Sequence, residues 1–101
     1  MIMVNSPHNP CGTVLSADDL ERLSALAIRH DLLVLSDEVY ERIIFDGRKH
    51  HSVLGRPELN DRSITVFSFG KTFHVTGWKS GYVVASPTLT AEIRKTHQFI
   101  N

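Results

Sequence analysis

Residues 32–35, Leu-Leu-Val-Leu, form an aliphatic run without polar alternation that leads directly into Ser36-Asp37-Glu38. The run is too short for a helix, and its lack of alternation predicts a strand covered on both faces, as in a parallel sheet. Met1 to Val4, Ser63 to Phe69 and Gly81 to Ser86 have the same strand character. Two segments have helical periodicity instead. In the first, Leu20, Leu23, Ala27 and His30 fall near one stripe, and Ser16 with Asp19 forms a capping box in which Asp replaces the usual Glu or Gln. In the second, Ser86-Pro87 supplies an N-cap and a first-turn proline, and Leu89, Ile93, His97 and Ile100 share a face. Between them, residues 41–45 add a short apolar piece and residues 46–62 a polar loop. Strand, helix, strand, loop, strand, strand, helix predicts the α/β class with a mostly parallel sheet.

At 101 residues the chain is at most one small domain, too small to carry a deep enzyme pocket alone. The eleven basic residues match the eleven acidic ones, so no charged field points to nucleic acid or an anionic membrane. The single cysteine, Cys11, rules out an internal disulfide framework and fits the cytoplasm. No apolar run reaches the ~18 residues of a membrane span. The chain opens on four apolar residues with nothing before them to pack on, and its last helix lacks a stop signal. Both features suggest a piece of a larger domain.

Lys71 lies in Gly-Lys-Thr directly after the third apolar run, and three readings compete for it. A phosphate-cradling P-loop requires a glycine where Thr65 stands, and residues 66–69 continue a strand rather than a glycine-rich loop. A solvated surface charge is the usual fate of lysine. A ligand-binding amine is favoured by its company: Ser68, Gly70, Gly77, Gly81, Trp78 and Lys79. Asp37 is either an exposed acid at the start of a loop or, lying where open α/β sheets bind ligands, a carboxylate whose charge a protonated ring nitrogen would satisfy, with Tyr40 near the same ring. Glu38 reads as an exposed acid at the start of a loop. No histidine pair has metal-ligand spacing with an acidic or cysteine partner, His50-His51 included, so no metal is expected. Trp78 and Phe73 read as packing groups, and Cys11 as a small packing residue.

Three motifs, Asn-Ser-Pro-His-Asn-Pro-Cys-Gly at 5–12, Ser-Asp-Glu-Val-Tyr at 36–40 and Ser-Phe-Gly-Lys-Thr-Phe-His-Val-Thr-Gly-Trp-Lys-Ser-Gly-Tyr at 68–82, occur in this order. Each is modest alone, and together they closely resemble the class I/II aminotransferases, pyridoxal-phosphate enzymes of fold type I. The resemblance extends over essentially the whole chain. It implies that residues 1–101 are part of the large, cofactor-binding domain, truncated at both ends.

The resemblance assigns a task to each matching residue. Lys71 would bond the aldehyde of pyridoxal 5'-phosphate and move the substrate Cα proton, which requires burial and nearby positive charge to keep the amine reactive. Asp37 would hold the ring nitrogen protonated. Tyr40 and Asn9 would hydrogen-bond the ring oxygen, and Asn9 would also reach the substrate carboxylate. Ser68 and Lys79 would hold the phosphate, with Lys79 a point charge where many members carry the arginine fork. Pro7 and Pro10 would stiffen the Asn9 loop, and Gly77 and Gly81 would permit the turn that returns Lys79.

His8 and the segment Gly70 to Lys79 resemble the kynurenine/glutamine and methionine aminotransferase subgroup. This implies bulky, mostly uncharged amino donors, 2-oxo acid acceptors and a homodimer. The family's carboxylate-clamping arginine, its ring-stacking aromatic and its upstream phosphate loop have no counterpart in these residues, so the isolated chain is expected to be inactive and poorly soluble. Two alternatives stand beside the aminotransferase: another fold type I enzyme, such as a carbon-sulfur lyase or synthase, and a non-catalytic remnant or regulator domain.

Overall fold

The computed structural model describes residues 1–100. Strands β1 (Ile2–Asn5), β2 (Val34–Asp37), β3 (Ser63–Ser68) and β4 (Gly81–Ala85) form one sheet in chain order. The first three are parallel, and β4 runs antiparallel to β3. Helix α1 (Ala17–Arg29) connects β1 to β2, the single turn α2 (Phe69–Thr72) follows β3, and α3 (Pro87–Ile100) follows β4. This is the α/β, mostly parallel arrangement that the order of apolar runs predicts.

The capping box closes with Asp in the Glu position. Ser16 Oγ accepts from the Asp19 amide at 3.1 Å, and Asp19 Oδ2 accepts from the Ser16 amide at 2.9 Å. With its start fixed, α1 turns Leu20, Ser24 and Ala27 inward. Leu20 and Ala27 meet Val34 of β2 and two residues of the β2–β3 connection, Val53 and Leu59, each in a short 3-10 turn. Each such Leu or Val stabilises the fold by about 1.5–3 kcal/mol through removal from water. His30, expected on the same stripe, is instead the exposed C-cap, its amide making the last bonds of the helix to the Leu26 and Ile28 carbonyls.

β2 begins two residues later than the Leu32 start expected and reaches Asp37, since Leu32 still closes the end of α1 by donating to the Ala27 carbonyl at 2.8 Å. The expectation that it is covered on both faces is not met among the described residues. α1 and the 3-10 turns cover one face, while on the other Leu35 is only half-buried, beside its β1 neighbour Met3, which is 67 % exposed. No helix among the described residues is long and apolar enough to cross a membrane.

Candidate active site

The strand register sets Asn5, Asp37 and Val66 side by side at the carboxyl ends of three parallel strands. Alternate strand residues share a face, so Ser68, two positions past Val66, lies on the same side as Asn5 and Asp37. That side is opposite the α1-covered core. It is also the end of an open α/β sheet at which ligands bind.

Asn5, which the sequence did not single out, joins two parts of this site. Its Nδ2 donates to the Asp37 carbonyl oxygen at 3.1 Å, and its Oδ1 accepts from the Asn9 amide at 3.0 Å. The available signal was an Asn at a strand end opening a proline-rich turn, where an Asx side chain bonds the backbone a few residues on. The loop is then closed by His8 N to Thr13 O at 2.9 Å and by Leu15 N to Ser6 Oγ at 3.0 Å. Pro7 is buried, whereas Pro10 is exposed, and both follow cis peptide bonds. Held this way, Asn9 Nδ2 lies 3.4 Å from the Tyr40 hydroxyl. Asn9 and Tyr40 share an open cleft of about 530 Å³ with His8, Ile43, Phe45 and Arg48. Cys11 is exposed, its Sγ 2.8 Å from His8 Nδ1, rather than packed away as expected.

Asp37 is half-buried, and its Oδ1 accepts from the Val39 amide at 3.2 Å, which starts the turn leading to Tyr40. Glu38 corrects the sequence reading. It is 1 % exposed, because it shares the core-side face with Ser36 while Asp37 faces the other way. Its carboxylate accepts from Ser36 Oγ at 2.9 Å and the Val53 amide at 3.0 Å, and His50 Nε2 lies 2.6 Å away. Burial pushes its pKa up, but hydrogen bonds from His50, Val53, Ser52 and Ser36 outweigh burial and hold it below the ordinary value.

Ser68 ends β3 and caps α2, its Oγ accepting from the Gly70 amide at 3.1 Å. Lys71 follows within α2. It is exposed and without a hydrogen-bond or ion-pair partner among the described residues, so the burial its implied role requires is not supplied by them. The pairing of Ser68 with Gly81, with Phe69 N donating to Ser80 O at 3.1 Å, returns the chain beside Ser68 two residues after Lys79. The return turn uses positive φ at His74 (55°) and Lys79 (53°) rather than at Gly77. Gly81 is needed for close approach, since a methyl there would fall on the Phe67 carbonyl oxygen. Phe73 is 63 % exposed, its ring centroid 6.0 Å from that of Phe69, and Trp78 is 79 % exposed, so neither is packed away as expected. No group of three or more His, Cys, Asp or Glu among the described residues could hold a metal ion.

The family model for aminotransferase class I and II matches residues 1–101. Among curated proteins, the chain is 48 % identical to the methionine aminotransferase of Escherichia coli (strain K12) over 99 % of its own length and 26 % of that protein's. It is 40 % identical to the kynurenine–oxoglutarate transaminase of Dictyostelium discoideum, over 99 % of its length and 23 % of that protein's. Among solved structures it is similar to cystalysin of Treponema denticola, described as containing a pyridoxal 5'-phosphate cofactor, with a TM-score of 0.89, 28 % identity, and coverage of 94 % of this chain and 25 % of that one. The chain thus spans about a quarter of the length of the curated relatives it matches.

Proposed function

The chain belongs to the class I and II aminotransferase family, and from that premise we propose that residues 1–101 form part of the large, cofactor-binding domain of an aminotransferase. The observation that carries this reading is the convergence of chemically distinct groups at one sheet end. Asn5, Asp37 and Ser68 share a face, Asn9 meets Tyr40, and Lys71 stands three residues beyond Ser68.

The donor set fits pyridoxal 5'-phosphate. Lys71 offers an amine for its aldehyde, Asp37 a carboxylate for its ring nitrogen, Tyr40 and Asn9 a phenol and an amide for its ring oxygen, and Ser68 with Lys79 a hydroxyl and a cation for its phosphate. When bound, the cofactor supplies an electron sink for charge developing at the substrate Cα. Lys71 would be the amine that holds the cofactor through its aldehyde and, once substrate displaces it, the base positioned to take up the Cα proton. Asp37 keeps a positive charge on the ring nitrogen, and its own position is fixed by the bonds of its backbone carbonyl to Asn5 and Ser6. Asn9 reaches the substrate carboxylate. Lys79 holds phosphate as a point charge, without a two-pronged fork.

The names of the methionine and kynurenine relatives support a bulky, uncharged amino donor and a 2-oxo acid acceptor. They do not favour a lyase, a synthase or a regulator domain. We take the working protein as a cytoplasmic homodimer, the compartment that a single cysteine fits and the assembly that the family resemblance implies; light scattering of the full-length protein at monomer mass would sink the dimer.

The deciding experiment adds pyridoxal phosphate to the full-length protein, reduces it with borohydride and maps the modified lysine by mass spectrometry. Label on Lys71 is expected. Label on Lys79 with none on Lys71 reverses the assignment, and no label at all removes it. A panel of amino donors then identifies the substrate.

A further inference from the structure

Glu38 is the one fully buried carboxylate among the described residues, and the cofactor reading gives it no task. It sits between the two residues that reading assigns to the ring, Asp37 and Tyr40, yet it points to the opposite side of the sheet. Its backbone is held by Glu38 N donating to Val66 O at 2.9 Å, which fixes the end of β2 against β3. Its side chain holds the polypeptide on the far side. One oxygen accepts from Ser36 Oγ and the Val53 amide, and the other faces His50 Nε2 at 2.6 Å. The carboxylate therefore closes the loop that leaves the site at Asp37 and returns to the core at Val53. The turn that follows is started by the Glu41 amide, which donates to Glu38 O at 3.1 Å. A buried charge with this many donors over-determines the backbone around it.

We propose that Glu38, through His50 and Val53, is a positioning residue that sets where Asp37 and Tyr40 present their carboxylate and phenol to the cofactor ring. The inference rests on the cofactor reading above. An amide of the same shape would keep an acceptor for Ser36 and Val53 on one atom but would lose the charge and oblige His50 Nε2 to accept rather than donate, so the neutral variant tests the charge separately from the shape.

The test uses the full-length protein loaded with pyridoxal phosphate. Glu38→Gln and Glu38→Ala are compared with Arg62→Gln, which removes the bonds of Arg62 to Asp31 and to the Ala27 and Leu32 carbonyls, at the amino ends of β2 and β3 and so away from the carboxyl ends that carry the site. Three quantities are read: thermal midpoint, cofactor dissociation constant, and the pH midpoint of the bound cofactor's visible absorbance. Both Glu38 variants are expected to raise the dissociation constant at least about tenfold, the scale on which outer hydrogen bonds act on the groups they orient. They are also expected to move the pH midpoint by about half a unit or more, since the groups they displace set ring protonation. Arg62→Gln is expected to lower the thermal midpoint and leave the other two unchanged. If the Glu38 variants lose thermal stability but keep the wild-type constant and pH midpoint, the residue is only structural and the proposal falls. If Glu38→Ala is recovered unfolded, the isosteric Glu38→Gln carries the test, with His50→Gln, expected to shift the same midpoint, as the second variant. A wild-type protein that binds no cofactor removes the functional reading itself, an outcome distinct from normal wild-type binding with unaltered variants.

Discussion

Asn9 Nδ2 and the Tyr40 hydroxyl lie 3.4 Å apart, although Asn9 belongs to the loop after β1 and Tyr40 to the turn after β2. Two strand ends thereby act on one point in space. If both side chains hold the same ring oxygen, their contributions to cofactor binding are coupled. In the full-length protein, Tyr40→Phe and Asn9→Ala are expected each to weaken pyridoxal phosphate binding, and the double variant to depart from additivity by about 0.5–3 kcal/mol. Additive losses in a spectroscopic titration of the four proteins would mean that the two groups act on separate atoms.

Lys71 and Lys79 are both exposed and unpaired among the described residues, but they stand on different parts of the return from β3 to β4. Their variants should fail differently. Lys71→Ala is expected to lower turnover by at least about 100-fold, the loss typical of a proton-transfer group. Lys79→Ala is expected mainly to raise the cofactor dissociation constant about tenfold to a hundredfold, as for a hydrogen bond to a charged partner. Equal turnover losses at saturating cofactor would show that the two lysines had been given the wrong tasks.

The elements that sequence made legible are those decided locally. The Ser16–Asp19 box depends on residues three apart, and the apolar runs mark all four strands within one or two residues. Asp37 and Tyr40 were legible because their motif follows a strand immediately. Glu38 was not, because an Asp-Glu pair after a strand looks like two solvated acids. Period-two alternation carries the information that one of them must face the core, but not which one. The His50 partner stands twelve residues away, and its approach depends on how the whole β2–β3 connection folds. Asn5 was hidden for a similar reason: its reach to the Asp37 carbonyl follows from strand register, which a single strand's sequence does not contain.

Gly81 pairs with Ser68 at the point where β4 returns beside β3. A methyl at Gly81 would fall on the Phe67 carbonyl oxygen, and backbone cannot swing aside as a flexible side chain can. Gly81→Ala is expected to cost about 1–3 kcal/mol, the usual range for overpacking. Hydrogen exchange should quicken at the β3 and β4 amides. Gly55 has open space around its Cβ position and no positive φ, so Gly55→Ala should stay within about 0.5 kcal/mol. Equal effects of the two substitutions on urea midpoints would show that β4 yields at Gly81.

The buried Glu38 carboxylate also predicts how stability responds to acid. Its pKa in the fold lies below the ordinary value of 4.5, because hydrogen bonds from His50, Val53, Ser52 and Ser36 outweigh the desolvation that raises it. The ionised form is therefore bound more favourably in the fold than in the unfolded chain. The resulting stability is fully present above the ordinary, unfolded value of 4.5 and is lost as pH falls through the folded value. Between neutrality and about pH 5 this carboxylate contributes no slope. Below that, the wild-type urea midpoint should fall, and Glu38→Gln, which has no proton to take up, should fall less steeply. Its curve should start lower at neutral pH, because hydrogen bonds to a neutral amide replace stronger ones to a carboxylate. Superimposable acid limbs for wild type and Glu38→Gln would mean that Glu38 is not held ionised in the folded protein.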